Sequence, residues 1–465
     1  MTTELVLIQP PGWAVMNPPL GLALLKAYLG ERGFSVKVMD LNIELYNKGA
    51  KAVHQYWDLT KGYFLWQKPE FNRHILKAAR KPIAAFMDRV VREKPRYVGF
   101  SVHDSTYLMT LALAGMFRSG NPEIPIIFGG PQMARQRPEW KTGLMGPEDV
   151  VVFGEGEEAV HEILQGKEHV PGTATLAQDN GLRPQIRDLD ALPFPDFGPD
   201  GTKGYAQPDF LPTYFSRGCL NHCMFCTESL YFPTFHTRTG RRVHEEIRYL
   251  HDRYGISRFR FAASVSNGSM WELKEFCDRL IANGPKIQFV LDGVVVRQEM
   301  TPNVYRKLRK AGCTLMGFGL ETPSKRLLEH VGKVTSKNAD LEKVIMDGVD
   351  SGIRIAVNFM FGIPGETEEE SLAQIAFIRK IPWWKRRRVL LVPSLTLCAI
   401  SPGSRAAEDP ARYGLNLSKG QYHWESLDGT NTFETRKAKF NRFLRAARWM
   451  GYPNLLGMKT FEEGI

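Results

Sequence analysis

The chain predicts an α/β protein with two parallel sheets: a doubly wound, Rossmann-like sheet, then a (β/α)-type barrel and a short C-terminal region. Three observations support this. Short apolar runs alternate with stretches of helical period through both halves, which implies parallel crossover units. Glycine- or proline-rich breakers close several of those runs. Between the halves, from about 173 to 210, the pattern dissolves into Pro, Gly, Asp and Asn, as a linker does.

In order, Glu4-Leu-Val-Leu-Ile-Gln9 is an apolar run stopped by Pro10-Pro11-Gly12, a first strand. Apolar residues recur at helical spacing from Leu20 to Arg32 and stop at Gly33. Ser35-Val-Lys-Val-Met-Asp40 alternates as a second strand, and the stretch from about 48 to 94 is helix-rich. Tyr97-Val-Gly-Phe-Ser101, Ile124-Pro-Ile-Ile-Phe128 before Gly129-Gly130, and Val150-Val-Val-Phe153 before Gly154-Glu-Gly156 read as further buried strands. Ligands of such sheets bind beyond the carboxyl ends of the strands, where these glycine-rich loops lie.

In the second half the expected barrel strands are Tyr214-Phe-Ser216, Arg258-Phe-Arg-Phe-Ala262, Lys286-Ile-Gln-Phe-Val-Leu291, Thr314-Leu-Met-Gly-Phe-Gly319, Arg354-Ile-Ala-Val-Asn-Phe-Met-Phe361 and Val389-Leu-Leu-Val392. Barrel enzymes carry their sites at the carboxyl ends of the strands. The expected division is 1–172 for the first domain, 173–210 for the linker, 211–400 for the barrel and 401–465 for a C-terminal extension.

With 465 residues, 43% hydrophobic and 24% charged, the chain reads as globular. No apolar run approaches the roughly 18–20 residues needed to span a bilayer. No basic stretch precedes the first apolar residues, so no secretory signal is expected. Six cysteines, three of them in one loop, argue for a reducing cytoplasm and against a disulfide framework. The net charge is +11, but basic residues come in short runs such as Arg80-Lys81 and Lys385-Arg-Arg-Arg388. These read as solvated faces, and no nucleic-acid partner is expected.

Chemistry concentrates in Ser216-Arg-Gly-Cys-Leu-Asn-His-Cys-Met-Phe-Cys-Thr227, where Cys219, Cys223 and Cys226 form a Cys-x3-Cys-x2-Cys triplet. Three thiolates this close cannot all pair as disulfides, but they can converge on one inorganic centre. Iron–sulfur cubanes take four cysteine ligands, so three imply a cluster with one iron left open. A zinc site would need a fourth ligand, and only His222 is near. Cys277 on an amphipathic helix, Cys313 after a turn glycine and Cys398 in an apolar strand read as buried structural thiols.

The triplet, with Phe225 before its last cysteine, resembles the radical S-adenosylmethionine (SAM) superfamily. The resemblance implies a partial six-unit barrel and a [4Fe-4S] cluster whose open iron chelates SAM and cleaves it to a 5′-deoxyadenosyl radical. Glu321, in Gly317-Phe-Gly-Leu-Glu-Thr322, matches an acid that contacts SAM, commonly through its ribose. Gly362 and Pro364, in Gly362-Ile-Pro-Gly-Glu-Thr367, match the turn that lets backbone approach the adenine. Arg297 is a candidate for the SAM carboxylate, since guanidinium suits carboxylate bidentately, with a simple salt bridge as the alternative. Lys333 matches a common lysine without an assigned role. Where relatives often carry acids for the SAM amino group, this chain has Ala262-Ala-Ser-Val-Ser-Asn-Gly268, so Ser264, Ser266 or Asn267 is expected there.

The first half resembles the cobalamin (B12)-binding domain fused to one radical SAM subfamily. Pro18-Pro-Leu-Gly-Leu22, Val98-Gly-Phe-Ser101, Gly129-Gly-Pro131 and Gly154-Glu-Gly-Glu157 carry the match. Ser101, Gly129 and Gly130 then flank the nucleotide tail of cobalamin. The Asp-x-His-x-x-Gly signature is absent after the first strand, and His103, Asp104 and Tyr107 could fill an empty slot instead. Ile186-Arg-Asp-Leu-Asp-Ala-Leu-Pro-Phe-Pro-Asp196 resembles the subfamily's interdomain connector.

Two chemistries follow from the resemblance. One is cobalamin-dependent C-methylation at an unactivated carbon in natural-product or cofactor biosynthesis. The other is cobalamin-free elimination, as in the radical dehydratase of aminoglycoside antibiotic assembly, with Tyr214 as a speculative general acid. Either implies a small-molecule substrate and a flavodoxin- or ferredoxin-type electron donor.

Overall fold

The computed structural model describes residues 3–49, 51–133, 146–393 and 397–453. The chain divides into two compact units, Met1–Pro212 and Thr213–Ile465.

In the first unit β1 (Leu5–Gln9), β2 (Val36–Asp40), β3 (Tyr97–Ser101), β4 (Ile126–Gly129), β5 (Val150–Val152) and β6 (Thr173–Ala174) form one sheet in the order β2-β1-β3-β4-β5-β6. The ladders from β2 to β5 are parallel, and β6 runs antiparallel to β5. Every residue of β1 is buried, as the unbroken Leu-Val-Leu-Ile run requires of a strand covered on both faces. Val6, Ile8, Val98, Phe100 and Phe128 share one core with Phe86, Val90, Leu113 and Phe117. Each fully buried aromatic or aliphatic side chain there stabilises the fold by about 1.5–3 kcal/mol. β4 starts at Ile126, later than the apolar run, because Pro125 has no N–H to give the ladder. The chain leaves β1 toward β2 on one side and returns to β3 on the other, so β1 and β3 flank the topological switch point.

The second sheet comprises β7 (Phe210–Thr213), β10 (Arg258–Phe261), β11 (Gln288–Val294), β12 (Cys313–Glu321), β13 (Arg354–Phe359) and β14 (Val389–Pro393). Its order, β14-β13-β12-β11-β10-β7, follows the chain, and the ladders from β10 to β14 are parallel. Helices Gly240–Tyr254, Met270–Asn283, Pro302–Ala311, Leu341–Asp350 and Glu368–Arg379 alternate with the strands. Local chemistry starts them where they begin. Ser269 caps one by accepting from the Glu272 N–H, and Thr367 with Glu370 forms a capping box on another. Phe215, Phe261, Phe276 and Phe289 pack ring to ring, with 4.6 Å between the centres of Phe215 and Phe261.

Three sequence expectations shift. The strand expected at Tyr214-Phe-Ser216 lies earlier, at β7. Ser216 and Arg217 leave the sheet and pair as β8 (Ser216–Arg217) with β9 (His236–Thr237), antiparallel. β13 stops at Phe359, and Phe361 instead packs on Phe440 and Phe443 of the C-terminal helix Phe433–Trp449. Cys398 lies beyond β14, outside any strand.

Candidate functional site

The short β8–β9 ladder holds the two ends of the cysteine loop. Cys219, Cys223 and Cys226 are part-exposed, whereas Cys277, Cys313 and Cys398 are buried and free. The loop is tied down between its cysteines. The Met224 N–H donates to the Val331 carbonyl at 2.8 Å, and the Ala406 N–H donates to the Met224 carbonyl at 2.9 Å. Asn221 Oδ1 accepts from the Thr335 N–H at 3.1 Å and from its hydroxyl at 3.0 Å. Met224 itself is buried among Leu327, Val331 and Ile363.

Backbone N–H groups of Asn221 and Glu228 donate to the sulfurs of Cys219 and Cys226, both at 3.4 Å. Burial pushes the Cys223 thiol up to about 12 and the Cys226 thiol to about 11. Metal loading must therefore release protons. Among the described residues no three His, Cys, Asp or Glu side chains gather around a point as a single ion requires. A cubane takes each thiolate at a different iron, so a donor set spread around a loop fits it better than it fits zinc. His222 is exposed and completes no such set.

Beside this loop lies a buried ion pair. Lys333 Nζ donates to Glu321 Oε1 at 2.8 Å, and Asn358 Nδ2 donates to Oε2 at 3.3 Å. The two charged side chains are only 7% and 9% exposed. Glu321 ends β12 with a φ of 63°, a left-handed conformation that is costly for a residue with a Cβ. A Cβ on Gly319 would lie 2.9 Å from Glu321 Oε1 and 3.0 Å from Lys333 Nζ, so a side chain there would push on the pair. Burial opposes the lysine's charge, but Glu321 and the thiols more than offset it, and its pKa is raised. Lys333 in turn favours the thiolate form of Cys219, Cys223 and Cys226.

Near the carboxyl end of β10 the chain brings in an acid from the end of the cysteine loop. Ser264 donates its hydroxyl to Glu228, which stands two residues after Cys226. Burial raises the Glu228 pKa, opposed by that hydrogen bond. Ser266 instead donates to the Asp292 carbonyl. Asn267 is buried and exchanges two hydrogen bonds with the Val295 backbone, both 2.9 Å.

Arg297 forms a two-pronged pair with Glu299 and also donates to the Asn267 and Gly268 carbonyls. Its fork is engaged by protein, which is the salt-bridge alternative to a SAM contact. At Gly362, with φ 71°, a Cβ would strike Arg436 at 2.0 Å. That glycine is demanded by the C-terminal helix. Pro364 is buried beside it, and Phe225 packs against the cluster of Met224 and Leu327. Tyr214 is 4% exposed, with the guanidiniums of Arg217 and Arg238 at 5.4 and 4.8 Å from its ring centre, an arrangement suited to packing.

Sequence reasoning thus missed Glu228 and passed over Lys333. The available signals were an acid immediately behind the triplet and a Gly332-Lys333 turn.

In the first unit the switch-point loops are built around Asn42, which is fully buried. Its Oδ1 accepts from the N–H groups of Gly12 and Trp13 at 3.1 and 3.2 Å and from Trp57 Nε1 at 2.7 Å. The loop after β1 so held lays Trp13 on His103 from the loop after β3, with ring centres 3.7 Å apart and planes 17° from parallel. His103 Nε2 is 3.4 Å from Ser101 Oγ, and Asp104 accepts from Tyr63 at 2.7 Å and Gln67 at 3.1 Å. Burial lowers the His103 pKa to about 4. The two glycines at the end of β4 differ. A Cβ on Gly130 would lie 2.7 Å from the Val102 carbonyl oxygen, whereas one on Gly129 would meet only Val152, at 3.9 Å.

Comparison with known proteins agrees with these two halves. Residues 213–376 match the radical SAM superfamily, and residues 66–164 match the B12 binding domain. An uncharacterized methyltransferase of Pyrococcus horikoshii, PH0819, is 27% identical over 387 residues, covering 79% of this chain and 82% of that protein. The anaerobic magnesium-protoporphyrin IX monomethyl ester cyclase of Cereibacter sphaeroides is 27% identical over 241 residues, 48% of this chain and 39% of that protein. Among solved structures, the radical SAM methyltransferase TsrM of Kitasatospora setae, with tryptophan and a SAM analogue bound, superposes with a TM-score of 0.66. That superposition has 16% identity and covers 97% of this chain and 90% of that one. The cobalamin-dependent radical enzyme OxsB gives 0.59 at 14% identity, over 89% of this chain and 56% of that one. The chain thus carries a radical SAM domain, with a B12 binding domain ahead of it.

Proposed function

We infer that the protein is a cobalamin-dependent radical SAM methyltransferase acting on an unactivated carbon of a small molecule. The supporting observation is the pairing, on one chain, of a three-cysteine loop that leaves one cluster position open with a B12 binding domain. When bound, the [4Fe-4S] cluster and SAM supply a 5′-deoxyadenosyl radical and cobalamin supplies the methyl group.

The chain's own residues divide the remaining work. Cys219, Cys223 and Cys226 hold three irons, and the N–H donors to two of the sulfurs steady their charge. Glu321 accepts from the SAM ribose hydroxyls, held in place by Lys333 and Asn358. Glu228, braced by Ser264, takes the SAM ammonium in place of the acids absent after β10. Ser101 and Gly129 border the corrinoid tail, and Gly130 lets the loop beside it close on Val102. Electrons come from a flavodoxin- or ferredoxin-type donor.

A second reading has a specific observation behind it. The Trp13–His103 stack stands at the switch point, where a retired cofactor site would be filled. Cobalamin-free elimination, by an aminoglycoside-type dehydratase with a vestigial first domain, is then the alternative.

Anaerobic reconstitution with and without cobalamin separates the two. Methylation requires a retained corrinoid after gel filtration, together with both 5′-deoxyadenosine and S-adenosylhomocysteine as products. A chain that holds no corrinoid and yields only 5′-deoxyadenosine is the eliminating enzyme. A triple Cys219→Ala/Cys223→Ala/Cys226→Ala variant that keeps its brown chromophore would sink both readings.

A further inference from the structure

The run Lys385-Arg-Arg-Arg388 reads in sequence as a solvated face, but two tryptophans precede it, and the turn Trp383–Arg388 presents them outward. Trp383 is 74% and Trp384 63% exposed, with ring centres 5.8 Å apart and planes perpendicular. This turn is fastened to the end of the helix Phe433–Trp449. Arg386 donates to the Met450 carbonyl, and its guanidinium lies over the Tyr452 ring at 5.3 Å. The neighbour of Met450, Trp449, is 84% exposed. Three of the nine tryptophans therefore emerge where these two segments meet.

Along the two segments the charge has one sign. Residues 379–388 carry six Arg and Lys and no acid, and residues 436–449 carry another six and no acid. Lys380, Lys385, Lys437, Lys439 and Arg442 are paired with acids of the unit, and Arg436 is buried. Arg387, Arg388, Arg445 and Arg448 have exposed side chains.

Indole has an apolar body and a polar tip, and its favoured place outside a protein core is the headgroup level of a bilayer. Arginines beside it meet anionic headgroups. Single-stranded RNA would also attract the arginines, but base stacking asks for open parallel faces, and perpendicular indoles offer no parallel slot. No described helix is long and apolar enough to cross a membrane, and the patch is suited to a surface contact. We propose that the edge formed by Trp383, Trp384 and Trp449 with its arginines is a peripheral docking surface for an anionic lipid bilayer. This goes beyond the radical chemistry and does not depend on it.

The test is co-sedimentation of the full-length protein with vesicles of phosphatidylcholine alone and of phosphatidylcholine mixed with phosphatidylglycerol. The expected result is partition onto the mixed vesicles, about tenfold weaker on neutral ones and weakened by salt. A Trp383→Ala/Trp384→Ala/Trp449→Ala variant should lose about tenfold in partition. An Arg387→Glu/Arg388→Glu variant should lose the preference for anionic lipid. All five positions are exposed, and an unchanged thermal midpoint confirms that the fold is intact. The proposal is overturned if neither vesicle binds, if the tryptophan variant binds as the parent does, or if single-stranded RNA binds while the mixed vesicles do not.

Discussion

Lys333 and Glu321 form a buried ion pair, 2.8 Å from Nζ to Oε1, and the same ammonium bears on all three thiols of the cysteine loop. Lys333 thus links the loop to Glu321, the acid proposed to hold SAM.

Removing one partner of such a pair leaves a charge buried alone, which costs about 3–5 kcal/mol. Lys333→Met should therefore lower the thermal midpoint and weaken SAM binding. Glu321→Gln should weaken SAM binding by about 1–3 kcal/mol, since an amide is the poorer acceptor. The double variant should recover stability over Lys333→Met, because no lone charge remains. A double-mutant cycle on both quantities measures the coupling, and strictly additive losses would mean that the two residues act separately. The lysine's raised pKa sets the pH sign. The lysine's contribution is complete below about 10.4, the value of a free lysine, and is lost as pH rises through the higher folded value.

The glycine pair at the end of β4 offers a sharper test than either glycine alone. Gly129→Ala has space and should leave both the fold and corrinoid retention nearly unchanged. Gly130→Val meets the backbone of Val102 and carries a φ of 109°, so it should displace the loop after β3 and lose the corrinoid while iron content stays the same. Equal retention by the two variants would place the corrinoid tail elsewhere.

His103 predicts a pH dependence of the cobalamin-free chain. Its folded pKa of about 4 lies below the unfolded 6.5. Between those values the unfolded chain binds a proton that the folded one does not, so stability falls as pH drops through this window, by up to about 3 kcal/mol. His103→Gln should flatten that slope in thermal unfolding between pH 6.5 and 4.5. An unchanged slope would mean that burial of the imidazole is not what resists the proton.

How much of this was legible in the sequence varied with the kind of interaction. Tyr97–Ser101 emerged as expected because the interior of a doubly wound strand has no solvent side to blur its pattern. The strand near Tyr214 was misplaced because an apolar run does not say where its ladder ends. Here the chain turned aside to pair Ser216 with Thr237. The cysteine triplet was plain, since its ligands are neighbours in sequence. Glu228 and Lys333 were not, because they reach their partners, Ser264 and Glu321, across 36 and 12 residues. Gly362 was recognised but for a different reason: its space is taken by Arg436, 74 positions later in the chain.

The strand orders of the two sheets bear on how the chain is made. In the second, each new strand from β10 onward finds its neighbour already synthesised, so the sheet can grow strand by strand as it leaves the ribosome. In the first, β1 sits between β2 and β3 and must wait for Tyr97–Ser101 before its second edge is covered. Until then an apolar edge is open, and such edges invite association with other chains. Nascent chains halted between β2 and β3 should be the most prone to aggregate. That wait, from Asp40 to Tyr97, is longer than the gap between any two successive strands of the second sheet, so slowing translation there would be the greater hazard.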